Sequence, residues 1–329
     1  MMNLNYMLHS GKNPKWLYWT KSFVRRLVPR AYWELRRDSL IDGARKRPDW
    51  DYICNRVDYY CQLPADKVIP LPEDAPTIPQ ACHMGKRVYR TDTAWCTRWF
   101  PRRLRMFMVP GDVTEVPAAP SFLKSRPIRR AEGPDNTNSV LLKLNAVRHF
   151  IFVDDQIPFA DKRNEAVFRG KVKDKPMRQR FFRQMFGKPF CNLGDTSNHT
   201  TDPQEWQRGK MTISEQLQYK FVLALEGNDV ASNLKWVMSS NSIAVSPRMH
   251  YETWFMEGRL EPDYHYIEVK DDFSDLEEKL HYYATHPAEA QAIIDHAHDY
   301  VRQFCDARRE QIINLLVCNR YFRQTGQTC

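Results

Sequence analysis

From about residue 140 onward, short apolar runs alternate with stretches of helical pattern. Residues 140–144, 149–153, 165–168, 190–193, 221–225, 242–245 and 265–269 have the length of buried strands, with β-branched and aromatic residues among them. Between them, residues 177–186, 214–219, 231–239 and 275–283 read as helices. Pro287 opens a long closing helix, at the first-turn position where a missing N–H costs nothing. This alternation predicts a parallel α/β arrangement with helices on both faces of the sheet. Residues 1 to about 135 differ, being rich in proline, tryptophan and arginine with weak periodicity. The proline-rich run 63–79 reads as loop or edge structure, since proline neither continues a helix nor donates to a sheet ladder. Short strands are expected at 86–90 and 105–109, the second ending in a Pro110-Gly111-Asp112 turn. Residues 131–138 form a second polar turn cluster.

The 329 residues suffice for one large or two medium domains, and the apolar share of 42% is that of a globular protein. No run approaches eighteen apolar residues, so no membrane span is expected. The first ten residues lack the basic start and long apolar core of a secretion signal, which points to the cytoplasm. The eight cysteines contain no CxxC pair, and reduced thiols in or near a core are expected.

Charge changes the picture more. Lysine and arginine exceed aspartate and glutamate by 49 to 40, a net +9, and the excess is clustered. Residues 12–37 hold Lys12, Lys15, Lys21, Arg25, Arg26, Arg30, Arg36 and Arg37 against Glu34, with Trp16, Trp19, Phe23, Leu27 and Trp33 among the interleaved apolar residues. Such a segment either lies on an anionic membrane surface or packs its aromatics on the body and turns its charges to water.

The candidate chemistry sits where apolar runs end. Arg169 closes one such run beside Gly170, where a ligand can approach the backbone; its guanidinium suits a diphosphate, or alternatively bridges strand to loop. The turn from residue 226 into the helix at 231–239 carries Asp229, Ser232 and Lys235, which suit helix capping or a phosphate. Asp112 follows a strand in the other half and is either a turn residue or a general base, with Glu115 its nearest competitor. Lys124, Ser125 and Arg126 lie close behind, as a solvated basic loop or as further binding groups. Asp154 and Asp155 resemble half of a magnesium site but lack a third ligand nearby and read as surface acids or a helix cap.

Taken together, several ordered motifs resemble glycosyltransferase family 90, with the lipopolysaccharide core transferases of Gram-negative bacteria the nearest in kind. They are Pro110-Gly-Asp-Val-Thr114, Pro120-Ser-Phe-Leu-Lys-Ser-Arg126, Ala166-Val-Phe-Arg-Gly170 and Asp229-Val-Ala-Ser-Asn-Leu-Lys-Trp236. Tyr251-Glu-Thr-Trp-Phe-Met-Glu-Gly258 and the stretch 265–276 complete the set. The resemblance implies an α/β GT-B fold, two Rossmann-like domains facing a cleft, with a mostly helical or irregular N-terminal segment. On this reading residues 1–139 form the N-terminal segment and acceptor-side domain, and 140–304 the donor-nucleotide domain. Residues 305–329 form a tail packing back on the N-terminal half. The resemblance further implies inverting transfer of a hexose from a UDP-sugar to the lipopolysaccharide core, with neither metal nor other cofactor. Asp112 matches the base; Arg169 and Gly170 match the diphosphate contact, with Asp229, Ser232 and Lys235 in the donor helix. Glu252 falls near the usual ribose contact, and Lys124, Ser125 and Arg126 fall on the acceptor or donor-sugar side. One departure is Asn233, where relatives carry an arginine. The cationic N-terminal segment then gains a purpose at the anionic inner-membrane surface. The competing classes are a nucleic-acid-binding protein, for which no recognisable module is present, and a peripheral-membrane scaffold.

Overall fold

The computed structural model describes residues 13–328 other than 131, 132 and 134. Lys12, the first ten residues and part of the 131–138 turn therefore lie outside the described residues. The N-terminal part runs α1 (Lys15–Leu27), α2 (Arg30–Arg45), α3 (Trp50–Tyr60), α4 (Ile78–Ala81), α5 (Arg87–Cys96), β1 (Phe107–Val109), β2 (Ser121–Leu123), β3 (Ser125–Pro127), β4 (Ser139–Leu141) and α6 (Ala146–His149). There follow β5 (Arg163–Gly170), α7 (Pro176–Met185), β6 (Cys191–Asp195), α8 (Ile213–Gln216), β7 (Tyr219–Leu223), α9 (Leu234–Met238) and β8 (Ile243–Pro247). The chain closes with β9 (Tyr251–Thr253), β10 (Ile267–Val269), α10 (Leu276–Thr285), α11 (Pro287–Arg302) and α12 (Ala307–Gln324).

These elements form two compact units. One contains Val147–His250 and Arg259–Gln303; the other contains Lys15–Ala146, Tyr251–Gly258 and the segment from Phe304 onward. We call them the sheet unit and the helical unit.

The sheet unit is built on five parallel strands in the order β10-β8-β7-β5-β6. Ala166, Phe168, Phe221, Leu223, Ile243, Val245, Ile267 and Val269 bury one face against Phe181 and Phe182 of α7, Leu276 and Leu280 of α10, and Ile293 and Ile294 of α11. Val167, Val222 and Ala244, on the alternate face, are buried as well. A sheet covered on both sides explains why these strands read as continuous apolar runs. The first strand of the unit, β5, lies between the second, β6, and the third, β7. The winding therefore reverses between β5 and β7, and a crevice outside their carboxyl ends is where such sheets take ligands.

The helical unit holds a parallel sheet, β1-β2-β4, and an antiparallel pair, β3-β9. Its core centres on α12, where Tyr321 meets Phe122 at 4.1 Å and Phe322 meets Phe100 at 4.8 Å between ring centroids. A buried polar network adds specificity of placement. Arg56 pairs with Glu310 at 2.6 Å, and Glu310 also accepts Lys143 Nζ and Trp254 Nε1. The Trp254 ring stacks on Tyr60 at 3.9 Å.

Two expected strands take other forms. Residues 86–90 enter α5, whose buried Tyr89, Thr93 and Cys96 recur at helical spacing. Residues 149–153 begin at the end of α6 and continue without regular structure. Among the described residues every cysteine is free, and no helix is long and apolar enough to cross a membrane.

Candidate functional site

In the sheet unit, the turn after β5 runs Lys171-Val-Lys-Asp-Lys175 into α7. Asp195, fully buried at the end of β6, fixes that turn: Oδ1 accepts the Val172 N–H at 2.9 Å and both the N–H and hydroxyl of Ser197. Ser197 Oγ in turn accepts the Val172 and Lys173 N–H groups at 3.1 Å each. With those amides occupied, the turn offers an anion its side-chain cations rather than its backbone.

Arg178 on α7 bridges the point where the winding reverses. Its Nη1 donates to the Lys171 carbonyl at 2.8 Å, its Nε to Glu226 at 3.0 Å and its Nη2 to Leu225 at 2.6 Å. One guanidinium thus ties the turn after β5 to the turn after β7. Gly227 leaves it room, since a Cβ there would stand 3.1 Å from Arg178 Nη2, while a Cβ on Gly170 would stand 2.8 Å from Phe168 Cζ. The Arg178 pKa falls to about 10, chiefly through burial and then through neighbouring Arg148. Lys175 donates to Asn228 Oδ1 across the same turns. Among the described residues, the exposed side chains of Lys171 and Arg148 have no hydrogen-bond or ion-pair partner. Cations gathered at the carboxyl ends of parallel strands suit an anionic ligand. The carboxylate of Glu226 faces the other way, accepting the His250 N–H at 2.9 Å and meeting its Nδ1 at 3.0 Å.

The other expected donor residues lie around this crevice in different roles. Arg169 donates to the Phe168 and Asn192 carbonyls and to Asn192 Oδ1, toward the edge strand β6, and burial lowers its pKa. The helix expected at 231–239 is the single turn α9. Its N-cap position is Asn233 rather than Asp229 or Ser232, and no side chain caps it. Asn233 instead donates to the Leu223 carbonyl at the end of β7, at 2.9 Å. Asp229 is buried, Ser232 half-buried, and Lys235 on α9 has no solvent-exposed surface.

The helical unit holds the remaining candidates. Asp112 lies in a loop with Gly111 at φ +106°, a conformation that favours glycine. Its carboxylate is 35% exposed and pairs with the buried Lys124 ammonium at 2.5 Å. Ser125 holds the same loop, its hydroxyl accepting the Val113 N–H at 3.2 Å and donating to the Val113 carbonyl at 3.3 Å. Lys124, Ser125 and Arg126 are all buried, so they are not a solvated loop. Arg126 pairs with Glu252 at 2.7 Å and donates to the Ser139 and Tyr59 carbonyls. The Tyr59 hydroxyl donates to the other Glu252 oxygen. The structure thus brings Glu252 together with Arg126, and Asp112 with Lys124 and Ser125.

The pattern of Glycosyl transferase family 90 matches residues 142–314. The chain is also 41% identical over 271 residues to O-glucosyltransferase LpsA of Dichelobacter nodosus, covering 82% of each chain. The chain belongs to glycosyl transferase family 90. It is accordingly a glycosyltransferase with a mixed α/β fold and parallel sheets. A second relative, Uncharacterized protein 035R of Invertebrate iridescent virus 3, is 29% identical over 119 residues, 35% of this chain and 11% of its own.

Arg178, Lys171 and Arg148 were not among the candidates expected from the sequence. A usable signal was present: three alternating lysines between a strand-ending glycine and a proline-initiated helix. Among the described residues no three His, Cys, Asp or Glu side chains are grouped to hold a metal ion. The Asp155 carboxylate is buried and engaged, accepting Lys162 Nζ at 2.7 Å and the Asn241 N–H at 3.0 Å.

Proposed function

We propose that this family 90 enzyme transfers a hexose from a UDP-sugar to a lipopolysaccharide core acceptor with inversion and without a metal ion. The observation that carries the donor half is the cation cluster at the strand reversal, with Arg178 tethered to three carbonyls and Lys171 and Arg148 uncommitted beside it. A diphosphate there would meet the two free cations directly, over a guanidinium held in place before binding. Within this reading Gly170 permits close approach, while Arg169, Asp229, Ser232, Lys235 and Asn233 shape the surrounding strand ends. The relative's name, O-glucosyltransferase, supports glucose as the hexose. The core acceptor rests on the resemblance of the ordered motifs described above.

In the transfer, the acceptor hydroxyl oxygen bonds to the anomeric carbon as the bond from that carbon to the diphosphate oxygen breaks. Asp112 takes the hydroxyl proton, and UDP leaves carrying the electron pair. Partial exposure of Asp112 and its fixation through Lys124 and the Ser125-held loop support that role. Lys124, Ser125 and Arg126 then act by holding the acceptor-side framework. Glu252, with both oxygens engaged by Arg126 and Tyr59, acts as part of that framework rather than on ribose. A two-domain GT-B architecture and peripheral residence on the cytoplasmic face of the inner membrane belong to the same proposal.

The test is transfer from UDP-glucose, with UDP-galactose and UDP-N-acetylglucosamine as competitors, to purified lipopolysaccharide core oligosaccharide. The expected product has the anomeric configuration opposite to the donor, by NMR, and its yield is unchanged in EDTA. Retention of configuration, or loss of activity restored by a divalent cation, would overturn the corresponding part.

A further inference from the structure

The helical unit contains a cavity of about 500 Å³ whose lining includes none of the residues assigned above to transfer. Its walls carry Arg25, Arg26, Arg30, Arg98, Arg102 and His83, against Asp92 as the one acid among its lining residues. Asp92 is itself engaged, accepting the Tyr18 hydroxyl at 2.6 Å and the Ala146 N–H at 3.1 Å. Arg30 is committed to the Phe100 and Thr97 carbonyls and to Glu34. The exceptional group is Arg98. It is 7% exposed, and its Nε and Nη2 have no hydrogen-bond partner. Its Nη1 donates to the Trp95 carbonyl, and its guanidinium lies 3.4 Å from the Trp95 centroid and 4.2 Å from that of Trp99, so a carbonyl and aromatic faces rather than a carboxylate hold it. Buried charges are ordinarily paired. A buried guanidinium with two unpartnered donors, beside four more arginines, leaves positive charge for an anion to complete.

The segment that builds this cavity also faces outward in an unusual way. Trp16, Phe23, Val24 and Leu27 of α1 are each more than half exposed. Their spacing of seven, eight and eleven residues places them on one side of the helix. The opposite side holds α1 to the unit through Tyr18 on Asp92 and Arg25 over the Trp95 ring at 4.0 Å. No acidic residue occurs in α1, and Lys15, Lys21 and Arg26 are exposed along it. A second copy laid on this stripe would bring cations against cations, whereas an anionic bilayer meets both the apolar stripe and the charge.

We propose that the cavity is a phosphomonoester-binding site and that the phosphate it takes belongs to a lipid headgroup at an anionic bilayer surface. A phosphomonoester near neutral pH carries about −1.5 to −2 charge and three acceptor oxygens, which suits several guanidinium forks better than a single carboxylate. Arg98 supplies the buried donors, while Arg26 and the exposed Arg102 stand nearer solvent. The lipid source rests on the peripheral-membrane part of the proposed function; anion binding by the cavity stands apart from it.

The full-length protein is titrated with glucose 6-phosphate, inorganic phosphate and glucose, following tryptophan fluorescence from the cavity walls. It is also floated with phosphatidylcholine vesicles containing phosphatidic acid, or phosphatidylglycerol at equal surface charge. The two phosphates should bind saturably and glucose should not. Arg98→Met, and independently Arg102→Ala, should weaken glucose 6-phosphate by about tenfold or more; Arg102 is exposed, so its variant keeps the fold if Arg98→Met does not. UDP affinity, read in the same samples, should stay unchanged in Arg102→Ala, which separates this site from the donor site. Preferential flotation with phosphatidic acid supports the headgroup source, and equal flotation with phosphatidylglycerol overturns it. Absence of saturable phosphate binding, or binding indifferent to Arg102, overturns the site.

Discussion

Replacing Glu252 by Gln separates a framework role from a ribose-binding one. The carboxylate is buried, pairs with Arg126 Nε at 2.7 Å, and receives the Tyr59 hydroxyl on its second oxygen. Arg126 is itself completely buried, so the substitution leaves a guanidinium without its counter-charge in a dry site. Removing one member of such a pair costs about 3–5 kcal/mol. The carbonyls of Ser139 and Tyr59, which keep two of the Arg126 donors occupied, favour the lower end. At roughly 2–4 °C per kcal/mol for a unit of this size class, the melting temperature should fall by about 6–12 °C. Differential scanning calorimetry with and without UDP reads this directly. Below the new transition, UDP affinity should remain within about twofold of wild type, since a 0.4 kcal/mol change is near the scatter for independent sites. The double substitution Arg126→Met with Glu252→Leu should recover part of the stability, because the unpaired charge is gone. An unchanged melting temperature together with a tenfold loss of UDP affinity would exclude the framework role and return Glu252 to the nucleotide.

Two further outcomes are expected. Burial raises the Asp92 carboxyl to about 6, above the ordinary value of 3.8, even though the Tyr18 hydroxyl and the Ala146 N–H favour its charged form. The folded state therefore holds a proton that the unfolded chain has lost, so stability falls as pH rises between about 4 and 6, by at most about 3 kcal/mol. Urea midpoints across that range should lose part of their slope in Asp92→Asn, and an unaltered slope would contradict the assignment. Asp112→Asn should bind UDP normally and transfer sugar about 10²–10⁴-fold more slowly; full activity would remove Asp112 as the base.

The strands of the sheet unit were legible because a sheet buried on both faces leaves continuous apolar runs. Phe221 to Leu225 and Ile243 to Val245 are such runs, and nearly every residue in them is wholly buried. Local pattern says less about short amphipathic elements. Residues 86–90 hold Val88 and Tyr89 between basic residues, a run too short to fix a period, and the buried Tyr89, Thr93 and Cys96 that define α5 become visible only over a longer window. The route of Tyr251–Gly258 was not legible at all. The segment lies between two stretches of the sheet unit in sequence, yet β9 pairs with β3 and Trp254 stacks on Tyr60 in the helical unit. No residue in that segment announces long-range pairing. Arg178 was missed for a related reason. An arginine in the first turn of a helix looks like a solvated charge, and only the strand order shows that it stands where the winding reverses.

On the proposed function, the donor diphosphate is held by the cations at the carboxyl ends of β5 and β7. Calorimetric titration of UDP against the wild type, Lys171→Ala and Arg148→Ala tests it most directly. Both side chains are exposed and make no hydrogen bond or ion pair, so their removal should leave the unfolding midpoint within about 0.5 kcal/mol of wild type. Each substitution should weaken UDP by about tenfold or more, the value of a charge-assisted contact. UDP binding with wild-type affinity in the double variant would contradict the account.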